Sequence, residues 1–201
     1  MVSTIARVTL CCLVSVMFLA ACTTSTSDSA NDTGQQQQPP VTAEPAGHNA
    51  DDIAFATNMI PHHQQAVDLS ALVPERSPNP DLQTLASNIA TAQEPEIQTM
   101  KVLLVQWNEN PDLDTGSGHG VHGAMQGMVD EATISRLTSL EGDEFDQLWL
   151  TSMIAHHQGA IEMAKAEVAN GANVDAKSLA DRIIDTQQAE IGQMKQMLGG
   201  S

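Results

Sequence analysis

The chain of 201 residues sets 8 Lys or Arg against 25 Asp or Glu, a formal net charge of −17, and is long enough for one domain of ordinary size plus appendages. That balance argues against nucleic acid and anionic membrane surfaces as partners, since both need clustered cations to replace counterions. With 3 Phe, 2 Trp and no Tyr the chain also lacks platforms for stacking bases or sugars, whereas 10 Met and 7 His make soft and borderline donors plentiful.

Residues 1–21 read as a signal peptide: Arg7 is followed by an apolar run from Val8 to Ala21, short of the about 20 residues a membrane span wants. The string Leu19-Ala20-Ala21-Cys22 resembles the lipobox of bacterial lipoproteins. The resemblance implies that Cys22 becomes the lipid-modified N-terminus and that the exported chain is anchored to the cell membrane, facing outside the cytoplasm. Cys11 and Cys12 fall inside the leader, so the mature domain keeps no thiol. Disulfides, a cysteine nucleophile and thiolate metal ligands are thereby excluded from it. Residues 22–50 are rich in Ser, Thr, Gln and Pro and cannot bury enough apolar surface to offset ordering, so they read as a disordered tether.

Residues 51–198 form a domain that repeats itself. At a constant offset of 94 residues, 17 of 47 positions match between 55–101 and 149–195 without a gap. The matches concentrate in two blocks: Thr57 to Ala66 against Thr151 to Ala160, and Gln93 to Lys101 against Gln187 to Lys195. Repeat 1 spans about 51–108, a connector 109–129, and repeat 2 about 143–198.

Each repeat reads as two helices. Phe55, Met59, Ala66, Val67 and Leu69, and in the copy Leu148, Met153, Ala160, Ile161 and Met163, recur at intervals of three and four. Pro74 to Pro80 ends the first helix of repeat 1, and Gly171 stands where a C-cap ends that of repeat 2. Asn79 before Pro80, and Asn173 before Val174, are N-caps for the second helices. Residues 130–140 predict a short extra helix opened by Asp130 or Thr133. Pro61 and Pro95 lie inside helices and should bend them, and their counterparts are Ala155 and Ala189. The expected fold is all-α, a four-helix bundle made of two repeated hairpins.

The chemistry concentrates in Met-Ile-x-His-His, written twice. On a helix, Met59 lies one turn from His62 and His63, and Met153 one turn from His156 and His157. Adjacent histidines diverge by about 100°, so closing on one ion needs a second helix. The other helix of each hairpin presents Gln93, Glu96 and Met100, repeated as Gln187, Glu190 and Met194, along one stripe. Polar groups on such a stripe are costly to bury unless paired or bound to metal. In the Gly-rich connector, His119, His122, Met125 and Met128 make a short tract suited to soft ions, and a plain flexible loop explains it equally.

The doubled Met-Ile-x-His-His-x-x-Ala block, the Gln-x-x-Glu-Ile-x-x-Met block and the His/Met/Gly-rich connector resemble the bacterial domain-of-unknown-function family 305. The resemblance covers about residues 50–198 and implies a ferritin-like bundle, export, and a role in copper binding or tolerance. On it, Met59, His62, His63, Met153, His156 and His157 are the motif positions, and Pro95 is a departure within the second block.

Three readings follow. In the first, a membrane-anchored envelope protein binds copper, because thioether favours Cu(I) and imidazole accepts Cu(I) or Cu(II). Its affinity should fall as the histidines protonate. In the second, Glu96, Glu190 and the histidines form a ferritin-like di-iron or di-manganese oxidase. That site usually carries Glu-x-x-His twice, and no Glu here has a His three residues later. In the third, the bundle is a structural or interaction lipoprotein whose histidines bond only to one another and to Gln or Glu.

Overall fold

The structure, a computed structural model, describes residues 47–111 and 126–199. The leader, Cys22, most of the tether, and His119, His122 and Met125 of the connector lie outside the described residues. Within them there are six helices and no strand: α1 (Ala50–Ala71), α2 (Val73–Arg76), α3 (Pro80–Gln106), α4 (Glu131–Ser139), α5 (Gly142–Asn170) and α6 (Val174–Gly199).

The helix ends follow from side-chain chemistry. Asn49 accepts from the amides of Asp51 and Asp52 while Asp52 accepts from the Asn49 amide at 2.6 Å, a capping box that opens α1. Asn79 caps α3 with Pro80 in its first turn, and Asn173 caps α6 by accepting from the amides of Asp175 and Ala176. For α4 the cap is Asp130, which accepts from the Thr133 amide at 2.7 Å. Helices α1 and α3 continue through Pro61 and Pro95. Gly171 does follow α5, but not in the left-handed conformation of a usual glycine C-cap: its φ of −61° and ψ of 154° are open to any residue. Glycine is needed there for space, because a Cβ would run into the Glu167 carboxyl.

Helices α1 and α3 form one hairpin and α5 and α6 the other, and the two hairpins meet chiefly through α1 and α5. Helices α3 and α6 touch only lightly, which leaves a seam along that side. The buried side chains divide into two apolar clusters. One gathers Leu69, Leu82, Ile89, Phe145, Trp149, Met153 and Met194; the other gathers Phe55, Met59, Met100, Leu104, Leu179 and Ile183. Each fully buried side chain of this size contributes roughly 1.5–3 kcal/mol. On every long helix the stretch between its two apolar ends is polar, and those stretches meet at mid-bundle. The Trp149 indole N–H, donated to the Leu69 carbonyl at 2.9 Å, ties the hairpins together at one end.

Candidate functional site

Four histidines occupy the middle of the bundle: His62 and His63 on α1, His156 and His157 on α5, all essentially inaccessible to solvent. The 100° divergence of adjacent side chains sorts them into two kinds. His62 and His156 turn toward the axis and meet, ring centroids 3.8 Å apart and planes inclined by 37°. His63 and His157 turn to the second helix of their own hairpins, where each Nε2 lies 2.8 Å from a carboxylate, Glu96 Oε2 on α3 and Glu190 Oε2 on α6. Gln93 and Gln187, one turn before those acids, are buried with no hydrogen-bond partner for their amides.

In the tautomer whose Nε2–H is donated to the carboxylate, His63 and His157 each keep a lone pair on Nδ1, and neither Nδ1 has a hydrogen-bond partner. Both ring nitrogens of His62 and His156 also lack a well-aligned partner, although the Gln126 carbonyl approaches His62 and the His62 carbonyl approaches His156. A buried polar atom left unsatisfied costs about 1–3 kcal/mol, so six such nitrogens in one layer are poorly explained as packing. Burial, reinforced by the neighbouring His63, lowers the His62 pKa to about 3. Burial and then His62 likewise hold His156 well below the ordinary imidazole value. Both rings therefore stay neutral, with lone pairs available, in mildly acidic water.

The methionines lie on either side of this layer. Met59 and Met100 are fully buried in one apolar cluster, Met153 and Met194 in the other, so each motif places its thioethers in the core flanking the histidines. No three His, Cys, Asp or Glu side chains among the described residues are positioned to hold one ion. The facing rings of His62 and His156 are in contact, and two imidazole–metal bonds of about 2 Å each need more room than that. Closing on an ion therefore requires these rings to part. What the fold supplies is a buried layer of imidazole nitrogens without aligned protein partners, with two of the rings oriented by carboxylates on their far side, an arrangement typical of metal-ligating histidine.

A family model, the domain of unknown function DUF305, matches residues 52–198. The chain belongs to the DUF305 family. Among solved structures, a DUF305 fragment from Deinococcus radiodurans is 32% identical, with 78% of this chain and 99% of that one covered and a TM-score of 0.69. A DUF305 protein from Streptomyces coelicolor is 30% identical, with 75% and 93% covered and a TM-score of 0.68. CopM in its Cu(II)-bound form is 34% identical, with 74% and 96% covered and a TM-score of 0.63; CopM structures with Cu(I) and with Ag match as well. No curated protein sequence matches the chain.

In this DUF305 domain the described end of the connector is drawn onto the histidine layer, which spacing alone does not reveal. The Gln65 side chain brackets Val129, donating to its carbonyl at 2.9 Å and accepting from its amide at 2.8 Å. Gly127, at φ +90°, lies against the α5 backbone at Ala155 and Gly159, and a Cβ on Gly159 would overlap the Gln126 carbonyl. Gln65 and Gly159 are the same position in the two repeats, so the copies diverge where the connector crosses. Met128, half-buried, lines a groove beside Pro61 and Gln65.

Sequence reading also missed Asp52 and Asp146, which match at the offset of 94 just upstream of the aligned blocks. Both are buried, and extending the alignment by three residues finds them. Asp52 closes one end of the bundle: its carboxylate accepts from the amides of Ala172 and Asn173 in the α5–α6 turn, at 2.9–3.1 Å. Burial alone would raise the Asp52 pKa, but the amides of Asn173 and Asn49, the Glu167 side chain and the Ala172 amide together outweigh it and lower it. Glu167 beside it is pushed up to about 8 by burial and then by Asp52.

Proposed function

We propose that this DUF305 protein is a cell-envelope lipoprotein that binds copper through its central histidine layer, with a role in copper binding or tolerance. His62, His63, His156 and His157 supply the imidazoles, Glu96 and Glu190 orient two of them, and Met59, Met100, Met153 and Met194 supply flanking thioethers. His119, His122, Met125 and Met128 of the connector are further donors. The observation that carries the reading is the set of six buried ring nitrogens without a well-aligned protein partner. The donor set is soft to borderline, which favours Cu(I) and accepts Cu(II), and CopM, a relative of the same family, has been crystallised with both ions. Export and anchoring rest on the leader and on Cys22 in its lipobox-like string.

The alternative of a carboxylate-bridged iron or manganese oxidase finds less support, because Glu96 and Glu190 each turn to the histidine of their own hairpin. The contact between the His62 and His156 rings favours a second reading, a structural layer without metal. Cu(I) titration under reductant with chelator competition separates the two. Replacing His62, His63, His156 and His157 together by Ala should weaken binding by at least about 100-fold, taking two lost ligands at ~1.4 kcal/mol each as a floor. Copper should also raise the thermal midpoint of the wild type, since a ligand held only by the folded state stabilises it. Unchanged affinity in the quadruple variant would sink the assignment of the site to the histidine layer, and no copper binding by the wild type would leave the structural reading.

A further inference from the structure

In both copies of the second sequence block a glutamine stands three residues before the glutamate, Gln93 before Glu96 and Gln187 before Glu190. The glutamates are accounted for by their histidines. The glutamines are not: each is 2% exposed, and neither the oxygen nor the nitrogen of either amide has a hydrogen-bond partner. Four polar atoms are thus buried at a cost that Leu or Met at the same positions would avoid. Amides that served only to bond the neighbouring imidazoles would be paired with them, whereas Nδ1 of His63 and of His157 is left without a partner as well.

Helix register sets each amide at the level of sulfur. Helices α1 and α3 run in opposite directions, so with His63 level with Glu96, Gln93 is level with Ala66, about 4.5 Å along the axis from the histidine layer. By the same count from His157 and Glu190, Gln187 is level with Ala160. Ala66 shares its apolar cluster with Met153 and Met194, and Ala160 shares the other with Met59 and Met100. Each face of the layer therefore receives an amide from one hairpin and two thioethers from the other. Both alanines are wholly buried, and a side chain that ends at Cβ leaves space beside each glutamine. Histidine and carboxylate alone do not complete a site, since no three His, Cys, Asp or Glu side chains among the described residues are placed to hold one ion. Donors of other kinds are needed, and amide and thioether are what the two faces offer.

We infer that Gln93 and Gln187 are specificity-determining residues of this layer, whose amide oxygens favour Cu(II) over Cu(I) and offset the preference of the thioethers at the same levels. A carbonyl oxygen is a hard donor and a thioether a soft one, while imidazole serves both oxidation states. The amide is also neutral, so it adds a hard donor without the desolvation cost of a buried charge. The inference rests on the copper reading and concerns which oxidation state the layer prefers.

Parallel titrations of the full chain with Cu(II), and with Cu(I) under reductant, each against a competing chelator, test it. Replacing Gln93 and Gln187 together by Leu should lower the ratio of Cu(II) to Cu(I) affinity about tenfold or more, equivalent to a rise of about 59 mV in the potential of the bound ion, and should shift its Cu(II) electron paramagnetic resonance spectrum. Replacing Met59 and Met153 together by Leu should move the ratio the opposite way. The metal-free Gln93→Leu, Gln187→Leu chain should melt above the wild type, because two pairs of unsatisfied groups are gone. Should circular dichroism show that this variant does not fold, Gln93→Met with Gln187→Met, closer in shape, carries the same expected fall in the ratio. An unchanged ratio would overturn the inference and leave the copper reading in place, and a lowered metal-free midpoint beside it would assign the amides to packing. A wild type that binds neither ion would overturn both.

Discussion

The middle of the bundle and its ends have diverged to different degrees. At the middle the copies are near replicas: the His63–Glu96 and His157–Glu190 pairs have the same spacing of 33 residues and the same 2.8 Å contact. At the ends they part, Asp52 sealed by backbone donors and Asp146 left with one buried oxygen that accepts no hydrogen bond. Where the connector crosses, Gln65 in one copy clasps it and Gly159 in the other makes room for it. At the middle His62 and His156 face one another across the pseudo-two-fold, so both copies present the same group there. An end faces only its own turn, and Pro78, which stands at the offset of 94 from Ala172, has no N–H with which to close it.

The largest effect should come from acidifying the metal-free chain. His62 and His156 are held neutral in the folded state, with His62 lowered from 6.5 to about 3, whereas in the unfolded chain they take up protons near 6.5. Their contribution is fully present above pH 6.5 and lost as pH falls through the folded pKa, on the order of 1 kcal/mol per pH unit for each ring. Urea unfolding across that window should show this slope, and a His62→Gln, His156→Gln variant should flatten it. A slope that persists unchanged in the variant would mean that the central layer is not the acid-sensitive region.

The sealed end should show the opposite dependence. Glu167 is raised from 4.5 to about 8, so the protonated form is favoured on folding. Its contribution is complete below pH 4.5 and lost as pH rises through about 8. Glu167→Gln keeps a donor toward Asp52 and should remove the alkaline loss without touching the acid one. If both slopes change together, middle and end are not separable.

Smaller effects are expected where the connector breaks the symmetry. Gly159→Ala would push into the Gln126 carbonyl and should cost about 1–3 kcal/mol by overpacking. Gly192→Ala, in α6 with nothing near its missing Cβ, should instead stabilise by roughly 0.5–1 kcal/mol through helix propensity. Chemical denaturation of the pair measures both, and a neutral Gly159→Ala would deny the connector a fixed seat on α5.

The helices were legible because their signals are local. Asn79 before Pro80 and Asn173 before Val174 specify caps whatever the chain does elsewhere, and the three-and-four spacing of Phe55, Met59 and Ala66 marks a buried stripe. Gly171 was legible as a boundary but not in its reason, which is the Glu167 side chain. Glu96 and Glu190 could be placed on the stripe, yet their pairing with His63 and His157 required knowing how each hairpin folds back. The seating of Gln126 to Val129 against Gln65 and Gly159 had no sequence signal beyond a glycine in a helix.

By itself, then, the sequence determined four long helices, their repetition at 94 residues, and the chemical kind of the groups at mid-bundle, since periodicity, capping and donor type are properties of neighbours along the chain. Only the tertiary structure decided that His62 meets His156 while His63 and His157 turn outward to carboxylates, and that Asp52 is satisfied while Asp146 is not. Those outcomes depend on which helix lies opposite and on whether its turn has an amide hydrogen to offer.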